Sequence, residues 1–417
     1  MAANPFTPSA PPARLIGRDS ELSDICAQVR NHGHFALSGI PGCGKTSLLR
    51  ALLDTKIWLP DGAKPADGIA VYVDLANIQP FAPLEFWAAI RDELAASLHP
   101  NDPLRQAAAV AEPSPQGAQA MLQAVRNGGR RAVLLLDGYD SAVRTNDSYS
   151  ASAMSSHLFD VRRLAQAKCF AAVTATYRRL DELGPSPEKL AAGGSLWYNQ
   201  YLFHPVRDLS PADCNRFYDQ MASYAPPVDW RRALRELCGG NVALHQHAGK
   251  ILYDSAVRGS LPTMADFWER LESATRHYYR NWWNWASPKE QLLMMLVAVS
   301  KAQNRLDLGR DFEVSDLPVV FSHNDRELRE LTERGLVNRE SGNRFSFHSS
   351  MMEWWVLREI ASAAAASGFD DRSKELLGLS KGQLKSINAA LSRVWKHKDA
   401  VQSAVVWFAK VLATGKP

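Results

Sequence analysis

Short apolar runs alternate with amphipathic stretches through the first half of the chain. His34–Ser38, Gly68–Leu75, Arg131–Asp137 and Cys169–Thr176 are compact and apolar, and each gives way to polar or turn-forming residues. That is the pattern of buried strands. Between them, apolar positions recur every three or four residues. Leu22, Ile25, Cys26 and Val29 mark one helix, and Phe86, Trp87, Ile90 and Leu94 mark another within 83–98. Residues 47–53, 116–127 and 151–166 read as further helices, and 99–115 as a loop with some helix. Strands alternating with helices predict a parallel sheet with right-handed crossovers.

From about residue 206 the strand signals mostly stop. Helices are expected near 211–223, 229–237, 241–257 and 263–280, with Gly239-Gly240-Asn241 separating the second from the third. Ser287-Pro288-Lys289-Glu290 caps a very apolar helix, and helices near 313–320 and 324–335 follow. Leu336–Arg339 and Arg344–Phe347 alternate around Ser341-Gly342-Asn343, a hairpin signal. Three helices and a hairpin predict a winged helix-turn-helix. Residues 371–413 read as two or three helices with an apolar face and basic flanks. The tryptophans of 282–285 and 354–355 could stack on bases or could pack the helical segment on the winged helix.

Composition narrows this picture only slightly. At 417 residues, 46% hydrophobic and 22% charged, the chain has the make-up of an ordinary globular protein. No 18 apolar residues run uninterrupted, so no membrane span and no membrane partner are expected. Residues 1–13 are rich in Pro and Ala and read as a disordered lead-in, not a signal peptide. Five scattered cysteines without a C-x-x-C pair suit a reducing cytoplasm and argue against structural zinc. The net charge of +4 is carried by residues 370–417, which hold nine Lys/Arg against four Asp/Glu. A basic tail could touch nucleic acid or an acidic partner, or form a solvated face.

The candidate chemistry lies right after the first strand. Gly39-Ile40-Pro41-Gly42-Cys43-Gly44-Lys45-Thr46 fits G-x-x-x-x-G-K-[ST] in full, between a strand and a helix. In that context glycines turn backbone N–H groups onto phosphates and the helix start adds its positive end. Lys45 would reach the β- and γ-phosphates, and the Thr46 hydroxyl would ligate Mg²⁺. Ser47 follows and is counted with the phosphate contacts. Cys43 occupies a free position of the motif, where its thiol could also be redox-sensitive. Asp137 ends a central strand at the edge where open α/β sheets bind ligands, and there it would hold Mg²⁺. Asp140 could polarise the attacking water. Thr176 and Arg178 end the next strand and could read the γ-phosphate; Arg178 and Arg179 could equally be surface charges. Helix 324–335 balances its charges, whereas a DNA-reading face should be mainly basic. An intramolecular or protein-contacting role is therefore favoured for the winged helix over nucleic acid.

These parts, in this order, resemble the STAND ATPases, signal-transduction relatives of the AAA+ enzymes. The resemblance rests on Ile16-Gly17-Arg18, the loop 39–46, Asp137-Gly138-Tyr139-Asp140, Thr176-Tyr177-Arg178, Gly239-Gly240-Asn241 and the winged helix, and spans about residues 14–360. Asp-Gly-Tyr-Asp is similar to the acidic motif of NACHT-type members. An ordinary AAA+ enzyme has Glu where Gly138 stands, so slow hydrolysis is expected, with Asp140 as the substitute. Val242 replaces the usual lid proline. Phe345-Ser346-Phe347-His348 resembles the end of the winged helix where a histidine senses ADP, although Ser349 replaces the acidic residue that follows. The resemblance also implies a nucleotide contact for Arg18.

The implied architecture is an α/β P-loop nucleotide-binding domain (14–205), a helical lid (206–285), a winged-helix domain (286–365) and a short helical tail (366–417). The implied function is an ATP/ADP switch that binds Mg²⁺-ATP, hydrolyses it slowly, and changes conformation or oligomerises with itself to signal through a separate protein partner. The family includes bacterial defence proteins. The alternative is a DNA-associated AAA+ ATPase, akin to origin-recognition or transposon target-selection proteins, using the winged helix and basic tail. A scaffold that binds nucleotide without turnover is also consistent with Gly138.

Overall fold

The computed structural model of the protein describes residues 4–8, 15–185, 196–302, 317–341 and 343–361. The tail expected over 366–417 and the first residues of the helix expected near 313–320 lie outside the described residues. The chain divides into two compact units. One comprises Pro11–Gly39 and Gly44–Val206; the other comprises Met1–Ala10, Ile40–Cys43 and Arg207–Pro417.

The first unit is built on five parallel strands in the order β2-β3-β4-β1-β5, namely β1 (His34–Ser38), β2 (Gly68–Asp74), β3 (Arg131–Asp137), β4 (Ala171–Thr176) and β5 (Tyr201–Pro205). β1 and β4 are buried along their whole length, as continuous apolar runs in a two-sided parallel sheet should be. Helices α1 (Asp19–Arg30), α2 (Lys45–Ala51), α3 (Pro83–Ser97), α4 (Pro103–Ala109), α5 (Pro115–Asn127) and α6 (Ala151–Gln166) flank it. Side-chain oxygens cap three of them: Asp102 for α4, Ser114 for α5 and Ser150 for α6 each accept a backbone N–H of the first turn. β5 lacks a strong apolar signature for a physical reason. It is an edge strand in which Tyr201 is buried but Leu202 is 50% exposed.

One buried side chain in this unit has a measurable consequence. His157 of α6 lies among Phe81, Phe86, Trp87 and Tyr149, and neither ring nitrogen makes a hydrogen bond. Burial lowers its pKa from 6.5 to about 4. Between these values the unfolded chain binds a proton that the folded chain refuses. The stability present above the ordinary value is therefore lost as pH falls toward the folded one, by about 1.4 kcal/mol per pH unit. His157→Phe should unfold in urea with a pH dependence shallower by that amount. Equal pH dependence in the two proteins would contradict a neutral, buried His157.

The second unit is helical: α7 (Pro211–Asp219), α8 (Val228–Cys238), α9 (Val242–Ala256), α10 (Met264–Asn284), α11 (Pro288–Ala302), α12 (Leu317–His323), α13 (Asp325–Glu333) and α14 (Ser350–Ala361). A hairpin of β6 (Val337–Glu340) and β7 (Arg344–Phe347) precedes α14. α11 starts with a reciprocal box: Glu290 N–H donates to Ser287 Oγ, and Ser287 N–H donates to Glu290 Oε2. α10 runs four residues past the expected end at 280, because Trp282 and Trp283 keep its buried stripe going. Of the tryptophans at 282–285 and 354–355, all but Trp285, which is 38% exposed, pack the interior. Trp268 stacks edge-on against Trp354, and Trp283 against Trp355, so α10 and α14 are joined by rings.

The lead-in expected to be disordered is, in its described part, docked. Phe6 is 2% exposed and packs on Phe217 and Tyr218. Gly249 of α9 makes the room, since a Cβ there would stand 2.7 Å from the Phe6 ring. Asn4 donates to Asp254, and Thr7 N–H donates to Gln246.

Candidate active site

The carboxyl edge of the sheet gathers the predicted residues of the first unit. Gly39 follows β1, and its N–H donates to the Thr176 carbonyl at 3.2 Å. Gly44 takes φ +107, a left-handed conformation that glycine adopts without strain, and starts α2. Lys45 Nζ then turns back to donate to the Gly39 carbonyl at 2.7 Å. Thr46 is exposed and Ser47 half-buried. α2 packs on β3 and β4, which brings the start of the helix to the strand ends carrying Asp137 and Thr176.

Asp137 is 9% exposed, and both its oxygens are engaged. Oδ1 accepts the Gly138 N–H at 3.0 Å and Oδ2 accepts the Tyr72 hydroxyl at 2.9 Å. Burial and the Asp137 charge push the Tyr72 hydroxyl up to about 12, so it remains a donor. The Arg50 guanidinium lies over the Tyr72 ring at 5.1 Å. Asp74 ends β2 in register with Asp137, adding a carboxylate to the same edge. Neither Tyr72 nor Asp74 was singled out by motif, although Asp74 repeats the strand-then-Asp pattern of Asp137.

Gly138 has φ +61, so the chain leaves β3 through a left-handed turn. Three residues on, both oxygens of Asp140 face the Tyr177 N–H, at 3.1 and 3.0 Å. Burial raises the Asp140 pKa, and the Tyr177 hydrogen bond with the nearby Lys45 and Arg144 charges only partly offsets it. A carboxylate made more basic beside the loop lysine is suited to accept a proton from water.

The other expected residues already make contacts within the protein. Thr176, expected to face the γ-phosphate, is 1% exposed, and its hydroxyl lies within bonding distance of the Leu37 and Arg178 carbonyls. It ties β4 to β1 and fixes the following turn. Arg178 is half-buried. Arg179 is held by Asp181 at 3.0 Å and lies over the Phe203 ring, as a surface charge would. Arg18, expected at the nucleotide, is 4% exposed and ion-paired with Glu21 at 2.7 Å at the start of α1.

The loop tip, Ile40–Cys43, groups with the second unit. Cys43 N–H donates to the Ile40 carbonyl at 3.2 Å, and Gly42 has φ +87. Proline followed by a left-handed glycine at the centre of a bonded four-residue turn is a type II turn. Cys43 is 2% exposed. Around the tip, Ala243 N–H donates to the Gly42 carbonyl at 3.0 Å, Trp282 Nε1 to the Pro41 carbonyl at 3.2 Å, and Ile40 N–H to the Arg334 carbonyl at 3.4 Å. Asn241 is fully buried and caps α9 through Oδ1, while its Nδ2 makes no hydrogen bond. His348 stacks edge-on against Trp282 at 5.3 Å, and its buried Nε2 has no hydrogen-bond partner. Two orphaned polar atoms, one on the segment packed against the phosphate-loop tip, fit a polar ligand better than a closed core. Asn241 was legible only as part of a lid motif. Among the described residues no group of three or more His, Cys, Asp or Glu could hold a metal ion.

No protein-family model and no curated protein matches the sequence. Solved structures do. The Walker-type ATPase PABY2304 of Pyrococcus abyssi is 13% identical over 82% of this chain and 96% of its own, with a TM-score of 0.52. The ORC2 protein of Aeropyrum pernix, solved as ADPNP–ADP complexes, is 12% identical over 95% of this chain and 98% of its own, with a TM-score of 0.50. At such identities the likeness speaks to the fold, a P-loop NTPase sheet flanked by helices and followed by helical and winged-helix elements. No helix among the described residues is long and apolar enough to cross a membrane.

Proposed function

We propose that the chain is an AAA+-related ATPase that binds Mg²⁺-ATP at 39–46 and Asp137, turns it over slowly, and works in association with DNA as an origin-recognition-like protein. The observation carrying the ATPase reading is the convergence on one sheet edge of Lys45, folded back on Gly39, with Asp140, close enough to feel its charge, and the anchored Asp137. Bound Mg²⁺-ATP would supply the electrophilic phosphorus and the charge that Lys45 neutralises. Thr46 and Asp137 would hold the ion, Asp137 being kept in place by the Tyr72 hydroxyl and the Gly138 N–H. Asp140 takes a proton from the attacking water while Tyr177 N–H fixes its carboxylate. His348 and Asn241 are the candidates to sense the state of the nucleotide. The DNA-associated reading draws on the fold shared with the ORC2 protein over nearly the whole chain.

A STAND-type signalling switch is the second reading, and a specific observation favours it. The arginines of α13 are spent on carboxylates: Arg326 on Glu330, Arg329 on Asp325, with Arg339 of the hairpin also on Asp325. Such a helix is a weak DNA reader.

Light scattering with ADP and with a non-hydrolysable ATP analogue, each with and without duplex DNA, separates the two. A DNA complex that weakens steeply with salt is expected for the first reading. Nucleotide-dependent assembly indifferent to DNA would replace it with the second.

A further inference from the structure

The turn at Ile40–Cys43 is clasped on one side by a residue whose type the phosphate motif does not specify. Trp282 is fully buried near the end of α10, and its indole N–H donates to the Pro41 carbonyl at 3.2 Å. Its ring is held by Tyr279 at 5.3 Å and by His348 at 5.3 Å, both edge-on.

Pro41–Gly42 is the central peptide of the type II turn, and in such turns that peptide can rotate by about half a revolution to give a type I turn. The carbonyl of a trans peptide points away from the N–H of the next residue. A donor that fixes the Pro41 carbonyl therefore fixes the opposite direction of the Gly42 N–H. Loss of the donor frees the rotation, and glycine at 42 offers little resistance to it.

We infer that Trp282 is a positioning residue of the phosphate loop: its indole N–H locks the Pro41–Gly42 peptide so that the Gly42 N–H stays presented to the phosphates of a nucleoside di- or triphosphate. The inference rests on the nucleotide-binding reading above. It also gives His348 a route to the loop through the indole, without requiring it to touch the ligand. A lone indole bond would be incidental packing. The type II geometry, the complementary bond from Ala243 N–H to the Gly42 carbonyl, and the fit of Gly42 against the start of α9 make it part of a built clasp. A Cβ at 42 would stand 2.7 Å from Ala243 Cβ and 3.2 Å from Tyr278 Cε1.

The test is calorimetric titration of ADP and a non-hydrolysable ATP analogue into the full chain and its variants. Trp282→Phe keeps an aromatic ring and removes only the donor; it should weaken both nucleotides about 10-fold, the loss of one hydrogen bond to a polar loop. Trp283→Phe, a neighbouring buried tryptophan stacked on Trp355, should bind as the wild type does. Unchanged affinity in Trp282→Phe, or equal weakening in both variants, overturns the inference. Gly42→Ala is an independent probe, since at φ +87 and with Ala243 so close the turn must leave type II geometry while Trp282 is untouched. It should weaken binding at least as much, and normal affinity there overturns the inference even if Trp282→Phe does not fold. Wild-type protein that binds no nucleotide removes the functional reading and the inference together. Wild-type binding abolished by Lys45→Ala but untouched by Trp282→Phe removes the inference alone.

Discussion

Lys45→Ala is expected to lower ATP affinity by about 100-fold or more, the loss of charge-assisted hydrogen bonds to phosphate in a partly desolvated site. The ammonium is already placed for this. It donates to Gly39, the first residue of the loop, and on nucleotide binding would exchange that carbonyl for phosphate oxygens. The alanine variant loses the charge and the closing bond together. Isothermal titration with ATP measures the effect, and wild-type affinity in the variant would detach nucleotide binding from this loop. Any assembly that depends on nucleotide should disappear with it.

Asp140→Asn is expected to reduce turnover by about 100-fold or more, the range for removal of a general base, while leaving ATP affinity close to normal. Asparagine keeps an oxygen for the Tyr177 N–H, so the turn at 139–143 should survive. Burial raises the pKa of Asp140, and only the ionised carboxylate can accept a proton. Wild-type turnover should therefore rise with pH through an acid limb above the ordinary aspartate range, and the asparagine variant should lack that limb. Steady-state phosphate release across pH decides the matter. Full turnover in the variant would remove Asp140 from the chemistry.

Sequence patterning carried the centre of the molecule. β1 and β3 have the expected bounds because two-sided burial leaves no polar position to blur a parallel strand. α6 does too, its start marked by Ser150. The edge strand β5 and helix α14 were not legible in the same way. β5 buries one face only at Tyr201, and α14 is buried nearly all round, polar Ser350 and Glu353 included, so no polar stripe marks a solvent face to set its period. At the site, a motif names residues but not the hydrogen bonds they have already made. Thr176 has a plausible hydroxyl at a plausible strand end, and the fold has taken it for the main chain. Gly138 shows the reverse. Its left-handed φ explains why a side chain is unwelcome there, a reason unavailable to a comparison of motifs. The partners of the loop tip, Asn241, Ala243 and Trp282, lie about 200 residues or more downstream, beyond any local pattern.

That distance in sequence limits how the protein can be cut. A recombinant fragment ending near residue 206 would contain every letter of the glycine motif and the entire parallel sheet. It would leave behind the side chains and amides on which Ile40–Cys43 rests. Its motif would be a cassette without its mounting, and an affinity measured on such a truncation would describe the truncation.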